Sequence, residues 1–382
     1  MTLSIVLHTL FWISVILTFW TYMGYYLFLR IYSVVVSKSV ERDNITPGVS
    51  IVITAHNEQK TIGPKIESCL ALDYPGEKLE IIVASDGSDD RTNEIVSQYR
   101  DSGVELIAIP ERNGKHYAQK KGIDAACHEI IVLTDATTFL EADSISKIVR
   151  SFADPGIGCV SGRDRIAESE EPSQGEGLYV RYEMSLRSLE SRVSSLIGVS
   201  GSFFAVRKEI CDTWYSDMSS DFFIPIVAYM QGFRTVLDDE AIGSYTLVKN
   251  PEQEFQRKVR TIVHGVEVAC RLRRILNPLV YGFYSFQMLS HKCMRWLVPY
   301  CLIICLATNS MLAGTSVCFD ILLAAQFIFY LSAVAAFLIK PLERHSLFRI
   351  PFFFGMANLS ILIAWWKYIS GERYVTWDRT NR

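Results

Sequence analysis

The chain has 382 residues, of which 49% are hydrophobic and 21% charged, and its formal net charge is −3. That charge removes any overall electrostatic reason to expect nucleic acid as a partner. Nine cysteines without a CxxC pair and seven histidines without HxxxH or HExxH spacing read as reduced, buried thiols and exclude a histidine-held metal.

Residues 3–29 are apolar and aromatic, with no Lys or Arg before Arg30 and no small-residue cleavage site. This predicts a retained anchor, an N-terminal transmembrane segment over 1–30, rather than a cleaved signal. Arg30, Lys38 and Arg42 follow, so the positive-inside rule makes the next domain cytoplasmic, with Trp20, Tyr22, Tyr25 and Tyr26 as an interfacial belt. A polar linker over 31–47 ends in Pro47-Gly48.

Strand and helix patterns then alternate: strand 49–54, helix 60–70, strand 79–85, helix 92–99, strand 104–109, helix 117–126 and strand 130–134. This βαβα rhythm predicts an α/β fold with a mostly parallel, doubly wound sheet. The first βα turn, Thr54-Ala55-His56-Asn57-Glu58, lacks GxGxxG, which disfavours a dinucleotide cofactor. The second strand runs into Ser85-Asp86-Gly87-Ser88-Asp89-Asp90. Gly87 suits a tight turn and Asp89 or Asp90 a helix cap, so Asp86 is left without a structural task. Arg112-Asn113-Gly114-Lys115 brings a lysine to the same rim, where it can meet a phosphate.

The stretch 129–138 organises the rest. Its short β-branched run has the composition of a buried parallel strand and stops at Asp135, at the sheet edge where α/β folds bind ligands. A carboxylate there suits a hard divalent cation that brings phosphates with it. Each of these features alone is ordinary turn or cap chemistry; their joint arrival at one edge is not.

Ala55-His56-Asn57-Glu58, Ser85 to Thr92, Asn113-Gly114-Lys115 with Ala118, and Thr134-Asp135-Ala136 together resemble the nucleotide-sugar half of the family 2 glycosyltransferases, in order across most of residues 49–250. The resemblance extends to polysaccharide synthases of the cellulose, chitin, hyaluronan and poly-N-acetylglucosamine type. It implies a cytoplasmic GT-A domain, a Rossmann-like nucleotide-diphospho-sugar transferase fold, over 48–250. In that domain Ala55, Asn57, Glu58 and Asp86 bind substrate, with Asp86 facing the base, and Lys115 lies near the diphosphate. Asp135 opens the metal-binding DxD motif, served by Mg2+ or Mn2+, whose third position here is Thr137, a neutral oxygen donor. The segment Gly198-Val199-Ser200-Gly201-Ser202-Phe203 resembles the acceptor-side segment, making Gly201 and Ser202 substrate contacts. Ser220-Asp221-Phe222 resembles the segment holding an acidic pair. Asp221 is then the general base of an inverting transfer, removing the acceptor hydroxyl's proton as that oxygen attacks the anomeric carbon.

Residues 168–177 are polar and turn-rich and read as a surface loop. Residues 251–274 carry an apolar stripe of Phe255, Val259, Ile262, Val263, Val266 and Cys270 beside Arg257, Lys258, Arg260 and Arg271, an amphipathic pattern suited to an anionic leaflet. Interface helices are therefore expected over 251–296. Processive relatives carry Q(Q/R)xRW here, whereas this chain reads Gln256-Arg257-Lys258-Val259-Arg260; the resemblance implies that Arg257 or Arg260 reaches the diphosphate. A transmembrane hairpin over 297–340 follows, with spans at 297–315 and 317–339, closed by Lys340, Arg344 and Arg349.

Within 341–382, the stretch 350–366 reads two ways. Its shortness, Pro351, Gly355, Asn358 and basic flanks favour an interfacial or re-entrant segment with a cytoplasmic tail; hydropathy alone favours a fourth span with the tail outside. We take the cytoplasmic tail. Trp377, Thr380 and Arg382 resemble a WxxTxR ending, which implies a position near the active-site entrance and makes Trp377 a substrate contact.

The expected protein is thus an inner- or plasma-membrane, metal-dependent, inverting glycosyltransferase. It moves a sugar from a nucleotide-sugar, a UDP-sugar foremost, to a polysaccharide or lipid-linked acceptor in cell-envelope or exopolysaccharide synthesis, in contact with membrane lipid. The alternative is a catalytically inactive scaffold working with partners in a polysaccharide assembly complex, motivated by Thr137 and Ser220, which stand where relatives carry acids.

Overall fold

The computed structural model describes residues 2–167, 174–246, 251–339, 341–342 and 345–374. The alternation of β-branched strands and helices resolves into an eight-stranded mixed sheet. Its strands are β1 (Val49–Ala55), β2 (Leu79–Asp86), β3 (Val104–Ile109), β4 (Ile130–Asp135), β5 (Thr138–Leu140), β6 (Ile157–Ile166), β7 (Phe203–Arg207) and β8 (Arg234–Tyr245). Their spatial order is β3-β2-β1-β4-β7-β6-β8-β5.

The strands β3, β2, β1 and β4 run parallel, while β7 pairs antiparallel with β4. Strand β1 is buried along its whole length, as a run of Val, Ile and Ser between two covered faces requires. Register sets the chemistry: Ala55 is level with Ser85, and Thr54 with Asp135. The C-terminal ends of β1, β2 and β4 therefore form one rim, at the point where the strand order reverses. The strand ends lie one residue beyond the expected ones, so Asp86 and Asp135 are the last residues of their strands.

The region expected to be a surface loop differs. Residues 168–173 lie outside the described residues, and Gln174 already opens the helix Gln174–Val193. Its Leu186 and Val193 pack against Tyr25 and Leu29, an apolar demand that outweighs the polar start of the segment.

Among the described residues, four helical stretches are long and apolar enough to cross a membrane: 3–35, 283–312, 317–338 and 346–369. The first is a helix, Thr2–Phe19, continued through a π-helical turn into Tyr25–Val35. Ile16, Phe19, Ile321, Ile328 and Leu331 are exposed, as residues facing lipid would be. The last helix, Ser346–Ile369, is longer than expected and at 24 residues spans roughly 36 Å.

Its end nevertheless turns back to the sheet domain. Ala364 packs on Val259 and Val263 of the amphipathic helix Pro251–Arg271, and the Trp365 indole N–H donates to the Trp296 carbonyl at 3.0 Å. The Tyr374 carbonyl accepts from His264 Nε2 at 2.9 Å. The chain after this helix thus lies against the amphipathic helix, on the side of the sheet domain.

Candidate active site

The rim begins at the first βα turn. Asn57 adopts φ +55°, its N–H donates to Ser88 Oγ at 3.1 Å, and its Oδ1 accepts from the Asp89 N–H at 2.9 Å. The Glu58 N–H donates to Thr92 Oγ1 at 2.8 Å, and its carboxylate accepts from the Thr61 hydroxyl at 2.5 Å. His56 Nδ1 donates to the Asp86 carbonyl at 2.7 Å. The turns after β1 and β2 are therefore stitched into one wall.

Asp86 corrects the expectation that it has no structural task. It is fully buried, and its two oxygens accept from the Asn113 and Gly114 N–H groups, each at 2.8 Å. Two amides, that of Gly114 buried, would otherwise lack acceptors, so this carboxylate fixes the turn that delivers Lys115. Gly87, at φ +59°, lies so close that an added Cβ would stand 2.6 Å from the Arg112 nitrogen.

Lys115 opens the helix Lys115–Ala125 and reaches across the rim. Its Nζ lies 2.5 Å from Asp135 Oδ1 and donates to the Gly201 carbonyl at 2.9 Å. One ammonium joins the end of β4 to the glycine segment before β7. Asp135 is tied to that segment a second time, its N–H donating to the Ser202 carbonyl at 3.3 Å. The Ser202 and Ser200 hydroxyls both donate to Asp164 Oδ1, at 2.8 and 2.5 Å.

Gly201 in turn touches Asp221, which sits in the first turn of the helix Ser220–Met230. A Cβ built on Gly201 would stand 3.2 Å from Asp221 Oδ2, and the Ser219 hydroxyl donates to the other oxygen, Oδ1. The structure thus brings Asn57, Glu58, Lys115, Asp135, Gly201, Ser202 and Asp221 to one rim, with Ala55 and Asp86 buried at the strand ends beneath it.

The remaining expected residues fall differently. Arg257 makes two bonds to Glu254, at 2.7 and 2.8 Å, one turn back on its own helix. Arg260 lies a turn from His264 on the same helix and acts electrostatically on it. Trp377, with Thr380 and Arg382, lies outside the described residues.

Two histidines escaped the sequence reading because neither has a motif. His116, next to Lys115, is buried with its ring centroid 6.3 Å from that of His264. The Ser220 N–H points at His116 Nδ1 from 3.3 Å, and the Ser220 hydroxyl donates to Gln119 at 2.7 Å. Burial first, and then the charge of Lys115, push the His116 imidazole down to about 4, against the pull of Asp221. His264 is lowered by burial too, and again Asp221 opposes. Near neutral pH both rings are neutral neighbours of the carboxylate, a dry wall that carries no competing charge.

Lys65 was also missed. It lies in the helix Ile62–Leu70 with no exposed surface; its Nζ donates to Thr134 Oγ1 at 3.2 Å and to the Thr138 carbonyl. Its pKa is lowered by burial, against the opposing effect of Cys69 and Asp135.

The residues that could hold a divalent ion are Asp135, at the end of β4, and Thr137, just before β5, which offer a carboxylate and a hydroxyl as hard oxygen donors. Among the described residues no cluster of three or more His, Cys, Asp or Glu could hold a metal alone. The pair suits Mg2+ or Mn2+ that arrives with phosphate oxygens as its other ligands.

Residues 50–214 match Glycosyl transferase family 2. The chain is 27% identical over 234 residues to a poly-β-1,6-N-acetyl-D-glucosamine synthase of Staphylococcus aureus (strain COL), covering 59% of this chain and 56% of that protein. It is 28% identical over 183 residues to the same-named protein of Staphylococcus epidermidis, covering 46% and 43%. The chain thus spans about half the length of the curated relatives it matches. Among solved structures it is similar to the mannosyltransferase PcManGT of Pyrobaculum calidifontis, determined in complex with GDP-Man and Mn2+. The TM-score is 0.75 at 21% identity, over 95% of this chain and 100% of that one. That likeness is one of fold, and it runs through the sheet domain into the apolar helices.

Proposed function

We propose that the protein, whose residues 50–214 match Glycosyl transferase family 2, transfers a sugar, with inversion, from a nucleotide-sugar to a polysaccharide or lipid-linked acceptor at the membrane. One observation carries this reading. The Lys115 ammonium bonds both Asp135 and the Gly201 carbonyl, and Gly201 lies against Asp221, so the phosphate end and the base end of a transfer site are two contacts apart.

The wall of Asn57, Glu58 and Asp86 receives the nucleoside, and Lys115 takes a diphosphate oxygen as a point charge. Asp221 accepts the proton of the acceptor hydroxyl while that oxygen bonds to the anomeric carbon; the bond from this carbon to the phosphate oxygen breaks, and the nucleoside diphosphate leaves with the electron pair. Asp135 and Thr137 would hold Mg2+ or Mn2+, which would supply positive charge against the departing diphosphate. The glycine at 201 leaves room for the acceptor sugar beside the base. A UDP-sugar is the proposed donor, as the resemblance of the motifs implies.

The orientation follows from charge. Arg30, Lys38 and Arg42 after the first helix support a cytoplasmic catalytic domain. The bond between His264 and Tyr374 supports a cytoplasmic tail, with the last helix lying along the interface at its C-terminal end.

The test is nucleotide release by detergent-purified protein over a panel of UDP-sugars and GDP-mannose, with crude membrane lipid as acceptor. Metal-dependent turnover of one donor is expected, falling to background in EDTA and returning with Mn2+. Absence of nucleotide binding in any condition would overturn the enzyme reading in favour of a scaffold.

Gly201→Ala gives a sharper check of the geometry. The new methyl would press on the Asp221 carboxylate from 3.2 Å. Transfer should fall by up to about 10²-fold while nucleotide affinity and melting temperature hold, since small displacements of a reacting group are costly.

A further inference from the structure

Lys65 is a lysine with no exposed surface, a placement that demands specific partners for its charge. Its two acceptors are not arbitrary. Thr134 is the next-to-last residue of β4 and Thr138 the first of β5, so one ammonium ties together both ends of the turn Asp135-Ala136-Thr137. From the rim side, the Lys115 ammonium lies 2.5 Å from the Asp135 carboxylate.

The turn therefore holds one carboxylate with a cation above it and another beneath. A bare divalent ion meets a site whose negative charge is already answered. A nucleoside diphosphate reverses this, bringing negative charge to Lys115 and supplying the hard oxygens that one carboxylate and one hydroxyl lack.

We propose that Lys65 is a positioning residue of the donor site: it braces the Asp135–Thr137 turn from the core side and makes tight binding of the divalent ion depend on the nucleotide. This rests on the donor-site reading above. The ammonium touches no substrate atom; it acts through the turn.

The experiment uses the full chain in detergent and measures Mn2+ uptake by electron paramagnetic resonance, with and without UDP or GDP, and nucleotide affinity by calorimetry. Wild type should retain Mn2+ only when the nucleotide is present. Lys65→Met should weaken nucleotide binding in Mn2+ by about tenfold and narrow the difference between Mn2+ affinity with and without nucleotide; Lys65→Arg should recover part of both. Thr134→Val keeps the lysine and nearly the same volume but removes one acceptor, and should cost about threefold.

A folded Lys65→Met protein that binds nucleotide and Mn2+ as wild type does would overturn the proposal. So would wild type that binds Mn2+ equally tightly alone. If Lys65→Met does not fold, Thr134→Val decides, and an unchanged nucleotide affinity there overturns it. A wild type that binds neither nucleotide sinks the donor-site reading itself, a result distinct from binding that Lys65 variants leave untouched.

Discussion

Asp221→Asn should lower the rate of sugar transfer by about 10²- to 10⁴-fold, the range over which a positioned general base contributes, while leaving nucleotide affinity within about twofold. The asymmetry follows from where Asp221 sits. Its carboxylate touches Gly201 and accepts from Ser219, and among the described residues no hydrogen bond joins it to Asn57, Glu58 or Asp86, the proposed nucleoside wall. The amide is close in shape and can still accept from Ser219, so folding is preserved. What it cannot do is take a proton. Steady-state kinetics with the identified donor, paired with calorimetric titration of the nucleotide, would separate the two effects. Parallel loss of binding and rate would show that Asp221 shapes the donor pocket and is not the base.

The second large effect concerns stability. Between the first helix and the sheet domain lies a charged network: Tyr25 donates to Glu190 at 2.8 Å, His291 faces Glu190 through Nδ1 at 2.8 Å and Glu183 through Nε2 at 3.0 Å, and Arg295 donates to Glu183 at 3.2 Å. Burial raises the pKa of Glu183, but the charges of Arg295 and His291 and the His291 hydrogen bond overcome it and hold the carboxyl well below its ordinary 4.5. Glu183→Ala leaves those partners without their carboxylate and should cost about 3–5 kcal/mol, read as a large drop in melting temperature in detergent. The pH dependence has a definite sign. A depressed carboxyl contributes its full stabilisation above its unfolded value near 4.5 and loses it as pH falls through the lower folded value. Wild type should therefore lose melting temperature on acidification below 4.5, and Glu183→Ala should lose less over the same range.

Much of the parallel half of the sheet was legible because its strands are short runs rich in β-branched residues, two of which, β2 and β4, end at an acid. Strand β3 is found at its expected limits, and β2 and β4 extend by a residue that places the acid inside the strand. The antiparallel half was harder to see. Strand β5 is three residues long and β8 pairs with both β5 and β6, contacts that no local periodicity encodes. Asp135, Lys115 and Asp221 are named through a resemblance, and the structure places them near one another through Gly201. Lys65, His116 and His264 could not be found that way. A lysine at an apolar position of a short helix, as in Ile62-Gly63-Pro64-Lys65-Ile66, is a faint signal of buried charge, and only the opposing Thr134 and Thr138 reveal what it does. Asp86 misled for a related reason: its partners are two backbone amides from a turn 27 and 28 residues away, invisible to any reading of side-chain types.

The network around Glu190 has a mechanical consequence for the first helix. Tyr25 is bonded to the helix Gln174–Val193, and one turn earlier on that helix Arg187 donates to Ser161 Oγ at 2.6 Å, which also accepts the Ser200 N–H at 2.9 Å. A helix pinned in this way cannot slide along the bilayer normal to suit a thinner or thicker hydrocarbon layer. Mismatch must be absorbed by the surrounding lipid or by tilt of the other apolar helices, and whatever strain is left is delivered along Glu190, Arg187 and Ser161 to the segment that begins at Ser200.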